Sequence, residues 1–138
     1  MGLPVILLVD DEADLLTLLS AAITRRLPGY EVRAVCTAAE AEQQLADLTS
    51  DGRRVAAAVV DHRIPPTANT PTGLAILSDT ILRWPKMRGF LFTGYANNAV
   101  QVEAARQGVE VLWKPLRLSE VLGHVVEALN ADQAGATS

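Results

Sequence analysis

Short apolar runs alternate with longer amphipathic stretches along the whole chain, and each change of period marks an element. A continuous apolar run over Val5–Val9 predicts a strand buried on both faces, and it stops at Asp10-Asp11. From 12 to about 27, Leu15, Leu19, Ala22, Ile23 and Leu27 recur at helical spacing until Pro28-Gly29 ends the helix. Residues 30–36 alternate polar and apolar, as an edge strand does. Thr37-Ala38-Ala39-Glu40 reads as a capping box opening a helix to about Leu48, with Ser50-Asp51-Gly52 as the turn.

Val55–Val60 is the second unbroken apolar run, and it too ends in an acid, Asp61. Pro65, Pro66 and Pro71 make 62–72 a loop before a helix from about Gly73, which Trp84-Pro85 closes. Residues 89–93 predict a fourth strand, 97–107 a helix stopped by Gly108, and 109–113 a fifth strand that runs straight into Lys114-Pro115. Ser119 is placed to cap a last helix to about Asn130, with Val121, Leu122, Val125, Val126 and Leu129 as its stripe. Residues 131–138 read as a frayed polar tail or the start of a linker. Strand and helix alternating in this way predict an α/β protein with a parallel sheet.

Composition narrows the class. A chain of 138 residues, 49% hydrophobic and 20% charged, suits one folded domain with its core at about 3–130. No apolar run is long enough for a membrane span and no basic stretch precedes a secretory core, so the expectation is a cytoplasmic protein with no membrane contact. Cys36, the single cysteine, excludes an internal disulfide and a cysteine metal cage, and reads as a small buried hydrophobe. A net charge of −4 offers no footprint for direct nucleic-acid binding.

The candidate chemistry is positional. Asp10, Asp11, Asp61, Thr93 and Lys114 all fall at the carboxyl ends of predicted strands, and in an open parallel sheet those ends meet in one crevice. At an effective dielectric of ~20, each close pair of carboxylates costs on the order of 4 kcal/mol, so the acids need a cation or protons. Oxygen ligands without histidine or thiol select a hard ion such as Mg²⁺. Lys114 and Thr93 add a cation and a hydroxyl donor suited to phosphoryl oxygens, and a carboxylate is left as the nucleophile.

Val9-Asp10-Asp11-Glu12, Val60-Asp61, Phe92-Thr93-Gly94-Tyr95-Ala96 and Lys114-Pro115 together resemble the receiver domain of two-component response regulators over about residues 3 to 130. The resemblance implies a doubly wound, flavodoxin-like (βα)5 fold with strand order 2-1-3-4-5 and a cis Lys114-Pro115 bond. It implies that a histidine kinase or phosphotransfer protein donates a phosphoryl group to Asp61. Asp11, Asp61 and the backbone carbonyl of Arg63 would hold Mg²⁺, with Asp10 assisting, while Thr93 and Lys114 bind the phosphoryl oxygens. Such a chain is no enzyme beyond its own phosphotransfer and autodephosphorylation. A downstream protein effector would read the switched face, and a homodimer is compatible with it. The residues after Lys114 suffice for one helix, so output is expected in another protein or a detached region.

Three features depart from the family pattern. The loop from Arg63 to Thr72 is longer than usual. Val111 stands three residues before the lysine, where receivers commonly carry Tyr or Phe, and the fourth and fifth strand motifs look more like receivers of hybrid histidine kinases. Arg63 and Tyr95 sit two residues after Asp61 and Thr93, where bulky Tyr95 would shield an acyl phosphate from water. Two rivals remain: a Mg²⁺-dependent phosphatase with an aspartyl nucleophile, as in haloacid-dehalogenase-like folds, and a pseudo-receiver used only for docking. His62 is expected to point away from the site, His124 to lie on the last helix, and Trp84 and Trp113 to be packing residues.

Overall fold

The computed structural model describes residues 2–62, 72–94 and 96–137. Five strands, β1 (Val5–Val9), β2 (Glu31–Val35), β3 (Val55–Val60), β4 (Arg88–Thr93) and β5 (Glu110–Trp113), form one sheet in the order β2-β1-β3-β4-β5. Every neighbouring pair is parallel. The connecting helices are α1 (Ala13–Arg26), α2 (Ala38–Ser50), α3 (Gly73–Arg83), α4 (Asn98–Arg106) and α5 (Leu118–Thr137). The doubly wound order expected from the family resemblance is the order found.

The sheet divides the core in two because side chains alternate across a strand. Val5, Leu7 and Val9 of β1 face a layer supplied by α2, α3 and α4, including Leu45, Leu48, Ile76, Leu77 and Ala104. Ile6 and Leu8 face the other layer, where Leu16, Leu19 and Ile23 of α1 meet Val121, Val125 and Leu129 of α5. β1 and β3 are buried along their whole length, which is why both read as unbroken apolar runs. β2, at the sheet edge, is largely half-buried, as its alternation predicts. Each fully buried Leu, Ile or Val contributes about 1.5–3 kcal/mol on removal from water.

Helix starts follow the local chemistry. The Thr37 hydroxyl accepts from the Glu40 N–H at 3.1 Å and donates to the Glu40 carboxylate, so the Thr-x-x-Glu pair does cap α2. Thr72 and Asn97 cap α3 and α4 in the same way, through the Ala75 and Val100 N–H groups. Gly108, at φ 76°, takes the left-handed turn that carries α4 into β5.

Two expectations are corrected at the carboxyl terminus. α5 opens at Leu118, so Ser119 lies inside the first turn instead of capping it. The helix also continues through the stretch expected to fray, as far as Thr137 and across Gly135, since no proline interrupts it. Trp84 packs against the α2–α4 layer as expected, whereas Trp113 is 43% exposed and is not a core residue. Cys36 is half-buried at the edge of the α1–α5 layer, and Val111 packs partly buried against the opposite one. Arg63, Tyr95 and the loop 63–71 lie outside the described residues.

Candidate functional site

Register brings the acids together. Val9 of β1 pairs with Val60 of β3, so the next residue of each strand, Asp10 and Asp61, leaves the sheet side by side. The Asp61 N–H donates to the Val9 carbonyl at 2.9 Å, and the Asp10 N–H to the Val35 carbonyl at 3.2 Å. Both acids therefore sit on backbone fixed by the ladder. On the other side, Thr93 of β4 pairs with Trp113 of β5, and the Lys114 N–H donates to the Thr93 carbonyl at 2.9 Å. Lys114-Pro115 is cis, as expected.

Asp10, Asp61 and Thr93 are only 4%, 7% and 1% exposed, an unusual run of buried polar groups at one sheet edge. Asp11 is exposed, yet its carboxylate joins those of Asp10 and Asp61 in a set whose oxygens all lie within 4.8 Å of one another. Lys114 Nζ reaches over that set, 3.0 Å from Asp10 Oδ2, 3.3 Å from Asp61 Oδ2 and 3.0 Å from Glu12 Oε1. It also stands 5.3 Å from the centre of the Phe92 ring, close enough for a cation–π contact.

The charges shift one another in opposite senses. Burial pushes the Asp10 carboxyl above its ordinary value, although the Glu12 N–H, which donates to Asp10 Oδ1 at 2.9 Å, and Lys114 both favour the ionised form. Burial alone would lower Lys114. Its hydrogen bonds to Asp10 and Glu12 and the charges of Asp10 and Asp61 outweigh burial and raise it, so the ammonium stays charged at any physiological pH.

The donor set fits a hard divalent cation. It is made of carboxylate oxygens alone, it is close enough to converge on one ion, and a 2+ charge would relieve the repulsion that Lys114 offsets in part. The sequence-derived set Asp10, Asp11, Asp61, Thr93 and Lys114 thus gathers at one end of the sheet. Three neighbours carried no functional reading in the sequence: Glu12, Phe92 and Gly73. Glu12 meets Lys114 across 102 positions, a contact no local period encodes. Phe92 entered the reading only as a strand residue within the motif around Thr93, with no role of its own, and Gly73 only as a helix start. His62, next to Asp61, is half-buried, and His124 pairs with Glu110 on the α5 side at 3.1 Å.

Neither a family model nor a curated protein sequence matches the chain. Solved structures do match it. A CheY-like response regulator receiver domain protein from Methanospirillum hungatei JF-1 is 24% identical, with 97% of this chain and 99% of that one covered at a TM-score of 0.77. A response regulator receiver protein from Sinorhizobium medicae WSM419 is 27% identical over 94% and 96% of the two chains, at 0.71. The chain has the response regulator receiver fold. A third structure, a response regulator protein from Burkholderia pseudomallei, is 25% identical at a TM-score of 0.68. It covers 97% of this chain and 72% of its own, and it carries a phosphorylated aspartic acid, a calcium ion and citrate. In the receiver fold of the present chain, the buried acid pair, the lysine and the threonine occupy the carboxyl edge of the sheet.

Proposed function

We propose that the chain is the phosphoacceptor of a two-component phosphorelay and that Asp61 receives the phosphoryl group. The observation that carries this reading is the placement of Asp61, a residue only 7% exposed, beside a second buried acid, with one lysine ammonium 3.3 Å from its carboxylate and 3.0 Å from that of Asp10. The phosphorylated aspartic acid of the Burkholderia pseudomallei protein supports it.

An Asp61 oxygen attacks the phosphorus of a donor phosphohistidine. The new O–P bond forms as the N–P bond breaks, and the leaving imidazole keeps the electron pair and takes up a proton from solvent. Lys114 and the Thr93 hydroxyl hold the phosphoryl oxygens as the charge redistributes. Asp10, Asp11 and Asp61, with the carbonyl of Arg63 as a further ligand, would hold Mg²⁺, which when bound neutralises charge on the transferring group. The added phosphoryl group brings about two negative charges at neutral pH and shifts a pre-existing equilibrium of the segment after Thr93 and of α4.

A histidine kinase or phosphotransfer protein is the donor and a downstream protein effector the reader. The chain has no catalytic output beyond transfer and autodephosphorylation. The setting is cytoplasmic, and among the described residues no helix is long and apolar enough to cross a membrane. Incubation with acetyl phosphate and Mg²⁺, followed by intact-mass measurement, tests the reading. One labile phosphoryl group on the wild type and none on Asp61→Asn is expected; equal loading of both rejects it.

A further inference from the structure

Lys114 Nζ has three carboxylate partners, and they are not equivalent. Asp10 and Asp61 belong to the trio that fits a cation; Glu12, 3.0 Å from the ammonium, does not. A divalent ion on the trio competes with Lys114 for Asp10 and Asp61 and repels its charge. Among the described residues, Glu12 is the one carboxylate partner such an ion leaves to it.

The local structure equips Glu12 for that task. It occupies the N-cap position of α1 but makes no capping hydrogen bond with its side chain, so its carboxylate is not committed to the helix. Its own N–H donates to Asp10 Oδ1, which pins the main chain beside the site while the side chain reaches outward. That side chain is 61% exposed, against 19% for Lys114. A contact so open to water is weak enough to break on demand.

We propose that Glu12 is a positioning residue that holds Lys114 at the mouth of the site when a cation engages Asp10 and Asp61, and yields it to the incoming phosphoryl group. The proposal rests on the receiver reading above. Two consequences follow, of opposite sign. Glu12 shares Lys114 with Asp10 and Asp61 in the ion-free protein but becomes its sole carboxylate partner among the described residues once a cation takes those two. The contact is therefore worth more in the cation-bound state, and its loss weakens cation binding. An anion that must take Lys114 from Glu12 no longer competes, so anion binding tightens. An exposed ion pair supports changes of up to about fivefold in each equilibrium constant.

The test is calorimetric titration of the full chain with Mg²⁺, then with beryllofluoride at saturating Mg²⁺, for wild type, Glu12→Gln and Glu12→Asp. Aspartate keeps the charge but is one methylene shorter, so it loses the contact and separates position from diffuse charge. The expected result is Mg²⁺ binding about two- to fivefold weaker and beryllofluoride binding about two- to fivefold tighter in Glu12→Gln, with Glu12→Asp following it in the beryllofluoride titration. If Glu12→Asp behaves as wild type, or neither variant changes, Glu12 has no positioning role although the receiver reading stands. If the wild type binds neither probe, the receiver reading fails and this proposal with it.

Discussion

Gly73 stands against the main chain of Asp61: a Cβ at position 73 would lie 2.1 Å from the Asp61 carbonyl oxygen and 2.7 Å from its carbonyl carbon. The Gly73 N–H also donates to the His62 carbonyl at 3.3 Å, so the start of α3 is seated on the peptide that carries the acceptor acid. The obstructing atoms are backbone and cannot rotate aside. Gly73→Ala is therefore expected to cost about 1–3 kcal/mol despite alanine's better helix propensity, and to slow Asp61 phosphorylation at least about tenfold. Gly123→Ala, in α5 with no atom within 4 Å of the added carbon, is the control and should stabilise by about 0.5–1 kcal/mol. Urea melts and acetyl phosphate labelling of both variants check this.

Asp10 supplies a pH dependence. Its folded-state pKa is raised, chiefly by burial, so folding favours the protonated acid. That contribution is fully present below the ordinary value of 3.8 and is lost as pH rises through the folded value. Asp10→Asn, which stays neutral, should thus be the more stable protein at pH 7, and its advantage should shrink as the pH falls toward 4. Denaturant midpoints of the two proteins across that range measure the difference.

Removing the cation has the reverse effect. Lys114→Met leaves Asp10 and Asp61 buried side by side without their ammonium, which should destabilise the protein by about 1–3 kcal/mol at neutral pH without divalent ions. Mg²⁺ should recover most of the loss, since it takes over the neutralising role, while phosphoryl transfer stays impaired. A thermal melt with and without Mg²⁺ separates the two effects.

The wild type should itself gain stability with Mg²⁺, about 2.7 kcal/mol when the ion is at one hundred times its dissociation constant. Asp11→Asn removes the exposed member of the trio without disturbing the buried pair, so at the same Mg²⁺ concentration it should show clearly less gain while melting like the wild type in chelator. A gain equal to that of the wild type would remove Asp11 from the cation site.

Much of this was legible in the sequence because burial on both faces leaves a strong mark. β1 and β3 are apolar throughout, so the acids that end them, Asp10 and Asp61, stood out. Lys114 and Thr93 were found because both fall at the carboxyl ends of predicted strands, and in a parallel sheet those ends meet in one crevice. What escaped was of two kinds. Contacts between distant positions, such as Glu12 with Lys114 or Gly73 with Asp61, have no local periodicity to betray them. The end of α5 was misjudged because its apolar stripe was followed only to Leu129, while the backbone stays helical through 131–137, a stretch that holds no proline.

The central claim, that Asp61 accepts a phosphoryl group, is tested most directly by trapping it. The chain is phosphorylated with acetyl phosphate and Mg²⁺, reduced with borohydride, which converts an aspartyl phosphate to homoserine, and mapped by tandem mass spectrometry. Homoserine at position 61, formed only when donor and Mg²⁺ are both present, is the predicted result. Homoserine at Asp10 or Asp11 instead, or an unreduced chain despite full phosphoryl loading, would contradict it.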